Sequence, residues 1–153
     1  MSWLSELITN PYLITATSSW CVAQLLKVII HAAVYRTLDL KRLFGDGGMP
    51  SGHSATVTSL AVLTALTRGV GSFDFAVTAI LALIVCHDAK GVRQEAGKHA
   101  VLLDELVTLF KEMSSEPLPE VRLKKFVGHT PLQVAAGIGI GAANAVGMYF
   151  LFF

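Results

Sequence analysis

Apolar residues fall along the chain in four blocks, from about Tyr12 to Tyr35, Ser54 to Thr67, Phe73 to Cys86 and Leu132 to Phe153. The last carries no charge over 22 residues and has the length of about 20 residues that a membrane-crossing helix needs. The middle two are shorter, and read either as a hairpin of spans or as helices inside a bundle. The tip between them, "TRGVGSFD", has the glycines of a turn. A fifth stretch, Lys90 to Met113, behaves differently. Leu102, Leu103, Leu106, Phe110 and Met113 recur at helical steps, with Asp104, Glu105, Lys111 and Glu112 between them. That spacing predicts an amphipathic helix, on the membrane surface or over the mouth of the bundle. Ser114 to Glu120 is a loop by its two prolines, and Val121 to Phe126 is a short basic approach to the last helix. The pattern predicts one all-α domain over residues 1–153, a membrane bundle of about four apolar helices and one amphipathic helix.

Composition strengthens this picture. The 153 residues are 53% hydrophobic and 15% charged, against roughly 25% charged in a soluble domain. Mean hydropathy is +0.59. The net charge of +1 gives no field that would draw nucleic acid. Cys21 and Cys86 sit inside apolar runs and read as small buried hydrophobes. The start of the chain lacks the basic residues of a signal peptide. If all four blocks span, Arg36, Lys41, Arg42, Lys90, Arg93, Lys98, Lys111, Arg122, Lys124 and Lys125 share one face. Arg68 lies on the other. The basic face is then cytoplasmic and both termini face away from the cytoplasm, in a bacterial inner membrane or an organelle membrane. The same topology gathers "GGMPSGHS", "HDAKGVR" and "GHTP" at the basic face.

The first of these motifs invites chemistry. Ser51 or Ser54 can cap the helix that follows, and Gly52 lets another group come close to the backbone. The N–H groups and dipole of a helix N-terminus favour a phosphate. His53 beside it can donate a proton to a leaving oxygen. The plainer reading is a capped helix start with an incidental histidine. On the first helix Gln24, Lys27 and His31 share a face, and Lys27 is deep for a side chain that merely snorkels to the interface. No His or Cys spacing predicts a metal, and no cofactor motif is present. Gly137, Gly141 and Ala145 form a stripe of small residues. It lets another helix pack closely, within the bundle or between copies in a homo-oligomer.

Pro50-Ser51-Gly52-His53 resembles the central signature of the type 2 phosphatidic acid phosphatases, a superfamily that includes the vanadium haloperoxidases. Together, "GGMPSGHSA", "HDAKGVRQEAG" and "LKKFVGHTPLQVAAG" resemble a divergent branch of small membrane proteins related to those phosphatases, over about Gln24 to Gly141. The resemblance implies that Ser51 and Gly52 bind phosphate and that His53 is the general acid. It places the nucleophile, which forms a phosphohistidine, at His129. Four residues on, where the superfamily has an aspartate that holds this histidine, stands Gln133. Gln133 can orient the ring without supplying charge, or Asp88 supplies it from the same face. The superfamily's arginine before the nucleophile falls on Leu123, flanked by Arg122 and Lys124. Arg93 is the alternative, since arginine suits bidentate phosphate contact. The superfamily's lysine and arginine stand seven residues apart; here Arg36 follows Lys27 by nine, which is about 900° of helix and opposite faces. Lys27, with Gln24 beside it, is therefore the inward phosphate ligand.

These readings imply a membrane phosphatase acting on a lipid phosphate or diphosphate, polyprenyl phosphates included. A lipid-phosphate binding or transport protein without turnover is the first alternative, and a scaffold held by the small-residue stripe is the second.

Overall fold

The computed structural model describes residues 2–37, 48–90, 92–113 and 130–153; for 90, 92–98, 111 and 112 it describes the backbone only. Among these residues there are six helices and no strand: α1 (Trp3–Ile8), α2 (Pro11–Tyr35), α3 (Gly52–Arg68), α4 (Phe73–Lys90), α5 (Val92–Met113) and α6 (Pro131–Phe152). The expected blocks appear within a few residues of their predicted ends. Helix α1 was not predicted. Its signal is short but present, in a Ser2 N-cap that accepts the Ser5 N–H and an Asn10-Pro11 pair that starts the next helix.

Local chemistry sets the helix ends. Asn10 Oδ1 accepts the N–H groups of Tyr12 and Leu13 at 2.9 and 3.3 Å, and Pro11 occupies the first turn of α2, where its missing N–H costs nothing. Ser72 Oγ accepts the Phe75 N–H at 3.1 Å at the start of α4. Gly69, with φ +81°, closes α3 and opens the hairpin to α4. The Arg68–Asp74 ion pair at this tip is long, 3.9 Å, and exposed, so it contributes little.

Helix α3 is the centre of the bundle, packed by α6, α2 and α4. Its contact with α6 is close because Gly137 and Gly141 carry no side chain. A Cβ on Gly137 would overlap the Ser51 carbonyl oxygen, and one on Gly141 the Ala55 carbonyl oxygen. Gly137, Gly141 and Ala145 are all buried on α6. The small-residue stripe is thus used inside the chain, against α3.

Among the described residues the interior mixes small apolar and polar side chains, and the exterior is greasy. Thr15, Ser19, Gln24, Lys27, Ser54, Ser59 and Thr64 are buried, while Leu25, Ile29, Ile80, Leu83, Ile84 and Phe150 are exposed. Asn144 Nδ2 on α6 reaches Ser19 Oγ at 2.7 Å, Ser18 Oγ at 3.0 Å and the Thr15 carbonyl at 3.3 Å on α2. Tyr12 and Thr67 join α2 to α3 through their hydroxyls at 2.8 Å. Small residues and interhelical hydrogen bonds are how helices associate when lipid removes the hydrophobic drive. Helices α2 and α6 are each long and apolar enough to cross a membrane, with 39% and 22% of their apolar windows buried. A core helix of a soluble domain would be covered by its neighbours; these two are mostly bare. Helices α3 and α4 have 17 and 18 residues, or about 25–27 Å at 1.5 Å per residue.

Two expectations are corrected. Cys21 is exposed on the outside of α2, and Cys86 is only half-buried. The third apolar block also runs past its predicted end at Cys86. Helix α4 runs to Lys90 and α5 starts at Val92, so Arg93 falls in the first turn of a helix and its side chain lies outside the described residues.

Candidate functional site

The site forms where the "GGMPSGHS" turn meets α2 and α6. Gly48 has φ +99°, a conformation that residues with a Cβ rarely adopt. Its bare Cα faces the Lys27 stem: a Cβ there would lie 3.3 Å from Lys27 Cγ and Cδ. Lys27 is 3% exposed, so it is packed under the turn and does not snorkel to a surface. The Met49–Pro50 peptide is cis and Pro50 is fully buried.

Ser51 is the N-cap of α3, resolving the choice between Ser51 and Ser54. Its Oγ accepts the Ser54 N–H at 3.3 Å and the Ser54 hydroxyl at 3.0 Å. Its own N–H donates to the Gln133 carbonyl at 3.0 Å. That bond ties the turn to the first turn of α6, 82 residues on in the numbering. Gly52 is buried, and a Cβ there would lie 3.3 Å from Trp20 Cδ1 and 4.0 Å from the Gln24 carboxamide carbon. Only a bare Cα lets the helix start come this close to α2. Gln24 is 6% exposed, and its Oε1 has no hydrogen-bond partner among the described residues. An unpaired buried carboxamide oxygen costs about 1–3 kcal/mol.

The structure therefore brings Gln24, Lys27, Ser51 and Gly52 into one corner. His53, the second residue of α3, is exposed beside it. Trp20 and Gly48 belong to the corner and were not predicted. Trp20 lies on the same α2 stripe, four residues before Gln24 and seven before Lys27; extending that stripe one turn back would have found it. Gly48 was legible as one of a glycine pair next to a proline.

Other expected residues have contacts of their own or lie outside the described residues. Asp88 is half-buried near the end of α4 and lines an open groove of about 550 Å³ with Leu83, Ile84 and His87. His31 is used locally: its Nδ1 bonds the Thr37 carbonyl at 3.3 Å and its ring stacks on Tyr35 at 4.7 Å. Arg36 follows the last residue of α2 with φ 54°, so the argument from helical rotation stops one residue short of it. Gln133 Oε1 accepts the Thr130 N–H at 3.0 Å, while Thr130 Oγ1 accepts the Gln133 N–H at 3.4 Å. This is a capping box, and it engages the carboxamide oxygen expected to orient His129. His129, Arg122 and Lys124 lie outside the described residues.

Comparison with known proteins supplies the family. Residues 8–144 match the model of the Divergent PAP2 family. The chain is 39% identical over 141 residues to "Uncharacterized membrane protein YuiD" of Bacillus subtilis (strain 168), covering 86% of this chain and 89% of that protein. No solved structure matches it. A match that runs from α1 into α6 and takes in every element of the corner leaves one conclusion: the chain is a membrane-associated, all-α member of the divergent PAP2 family.

Proposed function

We propose that the protein hydrolyses a lipid phosphate or diphosphate, with the site at the cytoplasmic face. The observation that carries this reading is the corner itself: a buried lysine and a buried glutamine beside a serine-capped helix N-terminus. Cation, amide and N-terminal dipole together suit a phosphate. The lipid tail stays among the exposed apolar side chains of the bundle.

In this reaction a nitrogen of His129 attacks phosphorus and the bond from phosphorus to the lipid oxygen breaks. His53, protonated, gives its proton to that oxygen. Water then attacks the phosphohistidine, His53 takes a proton from it, and inorganic phosphate leaves with His129 regenerated. Splitting one displacement into two is the advantage of covalent catalysis. Arg93, Arg122 and Lys124 are the remaining candidates to hold phosphate oxygens, and Asp88 or Gln133 to steady His129.

The test is phosphate release by detergent-purified protein from phosphatidic acid, polyprenyl phosphates and polyprenyl diphosphates. Wild type is expected to release phosphate, and His53→Ala and His129→Ala at least a hundredfold less, in line with the usual contribution of such groups of about 10²–10⁴. Equal release by all three proteins would reject the proposal. One observation favours a second reading, a lipid-phosphate binding protein without turnover: the Gln133 carboxamide oxygen already serves the α6 cap, where the superfamily has an aspartate. Vanadate binding without any acid-labile phosphohistidine would decide for that reading.

A further inference from the structure

Helix α5 turns its apolar side away from the protein. Leu102, Leu103, Leu106, Leu109, Phe110 and Met113 are between 49% and 84% exposed. At about 100° per residue they occupy one arc of the helix. The half-buried positions are Ala100, Asp104 and Val107, on the opposite side. Among the described residues α5 packs only on α4. A helix on a soluble domain does the reverse and puts its apolar stripe on the core.

We infer that α5 is a membrane-interface helix, seated by insertion of this leucine face into the lipid surface and not by attraction to anionic headgroups. Two observations select lipid as the occupant. Helix α4, which α5 follows after one residue, is already bare on an apolar face, with Leu83 and Ile84 71% and 61% exposed, in a chain whose α2 and α6 are long and apolar enough to cross a membrane. The charge of α5 is wrong for an electrostatic anchor, since it has three Lys or Arg against four Asp or Glu. Interfacial helices that depend on anionic lipid carry a basic polar face.

Spin labels on the full-length chain in vesicles test this. The background is Cys21→Ser with Cys86→Ser, and single labels go on Leu102→Cys, Leu106→Cys, Phe110→Cys and Thr108→Cys. In pure phosphatidylcholine, the first three labels are expected to be relaxed more by oxygen, which partitions into lipid, than by a water-soluble nickel chelate. Thr108→Cys is expected to show the opposite. Adding anionic phosphatidylglycerol should leave the pattern unchanged. Leucine-face labels relaxed mainly by nickel would overturn the inference. So would labels shielded from both reagents, a second copy being identified by dipolar broadening that falls on dilution with unlabelled protein. A pattern that appears only with anionic lipid would overturn it too.

Discussion

At the scale of single residues, the site rests on what glycine permits and what a buried side chain lacks. Gly48 combines a positive φ with contact against the Lys27 stem. Gly48→Ala is expected to cost about 1–3 kcal/mol from backbone strain, read as a lower melting temperature in detergent and weaker vanadate binding. Lys27→Met keeps most of the stem and removes the charge. It should reduce vanadate affinity at least tenfold, measured by calorimetric titration. Ser51→Ala is expected to lose the α3 cap, about 1 kcal/mol, as well as binding. The sequence was most informative at this scale. Ser51, Gly52, Lys27 and Gln24 were legible because cap, glycine and helical stripe are local patterns. Trp20 was missed because an aromatic on an apolar helix looks like any lipid-facing side chain, and its role depends on the approach of α3.

Among elements, the decisive contact is α3 on α6. Gly137 and Gly139 make a matched pair. A Cβ at Gly137 meets the Ser51 backbone, whereas at Gly139 nothing lies within 4 Å. Gly139→Ala should therefore stabilise the helix by up to about 1 kcal/mol, and Gly137→Ala should destabilise the bundle and disturb the turn that carries Ser51. Thermal unfolding of the two variants side by side checks this; equal effects would mean the contact is looser than described. Asn144→Leu removes the hydrogen bonds from α6 to Thr15, Ser18 and Ser19, and is expected to cost about 0.6–1.7 kcal/mol. Element positions were readable from apolar runs and from the turn at Gly69. The choice of partner for the small-residue stripe was not, since spacing alone gives a flat face without saying what fills it. The inverted orientation of α5 was equally hidden: periodicity shows two faces, and only the neighbours tell which one looks outward.

For the whole molecule, the apolar exterior and the buried polar side chains between the helices agree with a chain that lives in lipid. The proposed orientation has a direct test. In intact cells a membrane-impermeant maleimide should label Ser72→Cys, in the hairpin after α3, and should leave Thr130→Cys unlabelled until the membrane is opened. The background is again Cys21→Ser with Cys86→Ser. The reverse pattern would put the phosphate corner on the outer side. Membrane class came from composition, which needs no tertiary information. The distance between Asp88 and the corner depends on how α4 is rotated against α3, and no pattern in a single sequence encodes that rotation.

The bond from the Ser51 N–H to the Gln133 carbonyl has a consequence for how this protein can vary. It is made by the main chain of both residues, so position 133 can exchange its side chain, at the cost of part of a helix cap, without releasing the turn. Length is another matter. One residue inserted between Gln133 and Gly137 would rotate the rest of α6 by about 100° relative to its first turn, and a side chain would then face Ser51 where there is now none. The fold therefore tolerates a different residue at position 133 but not a different length in this segment.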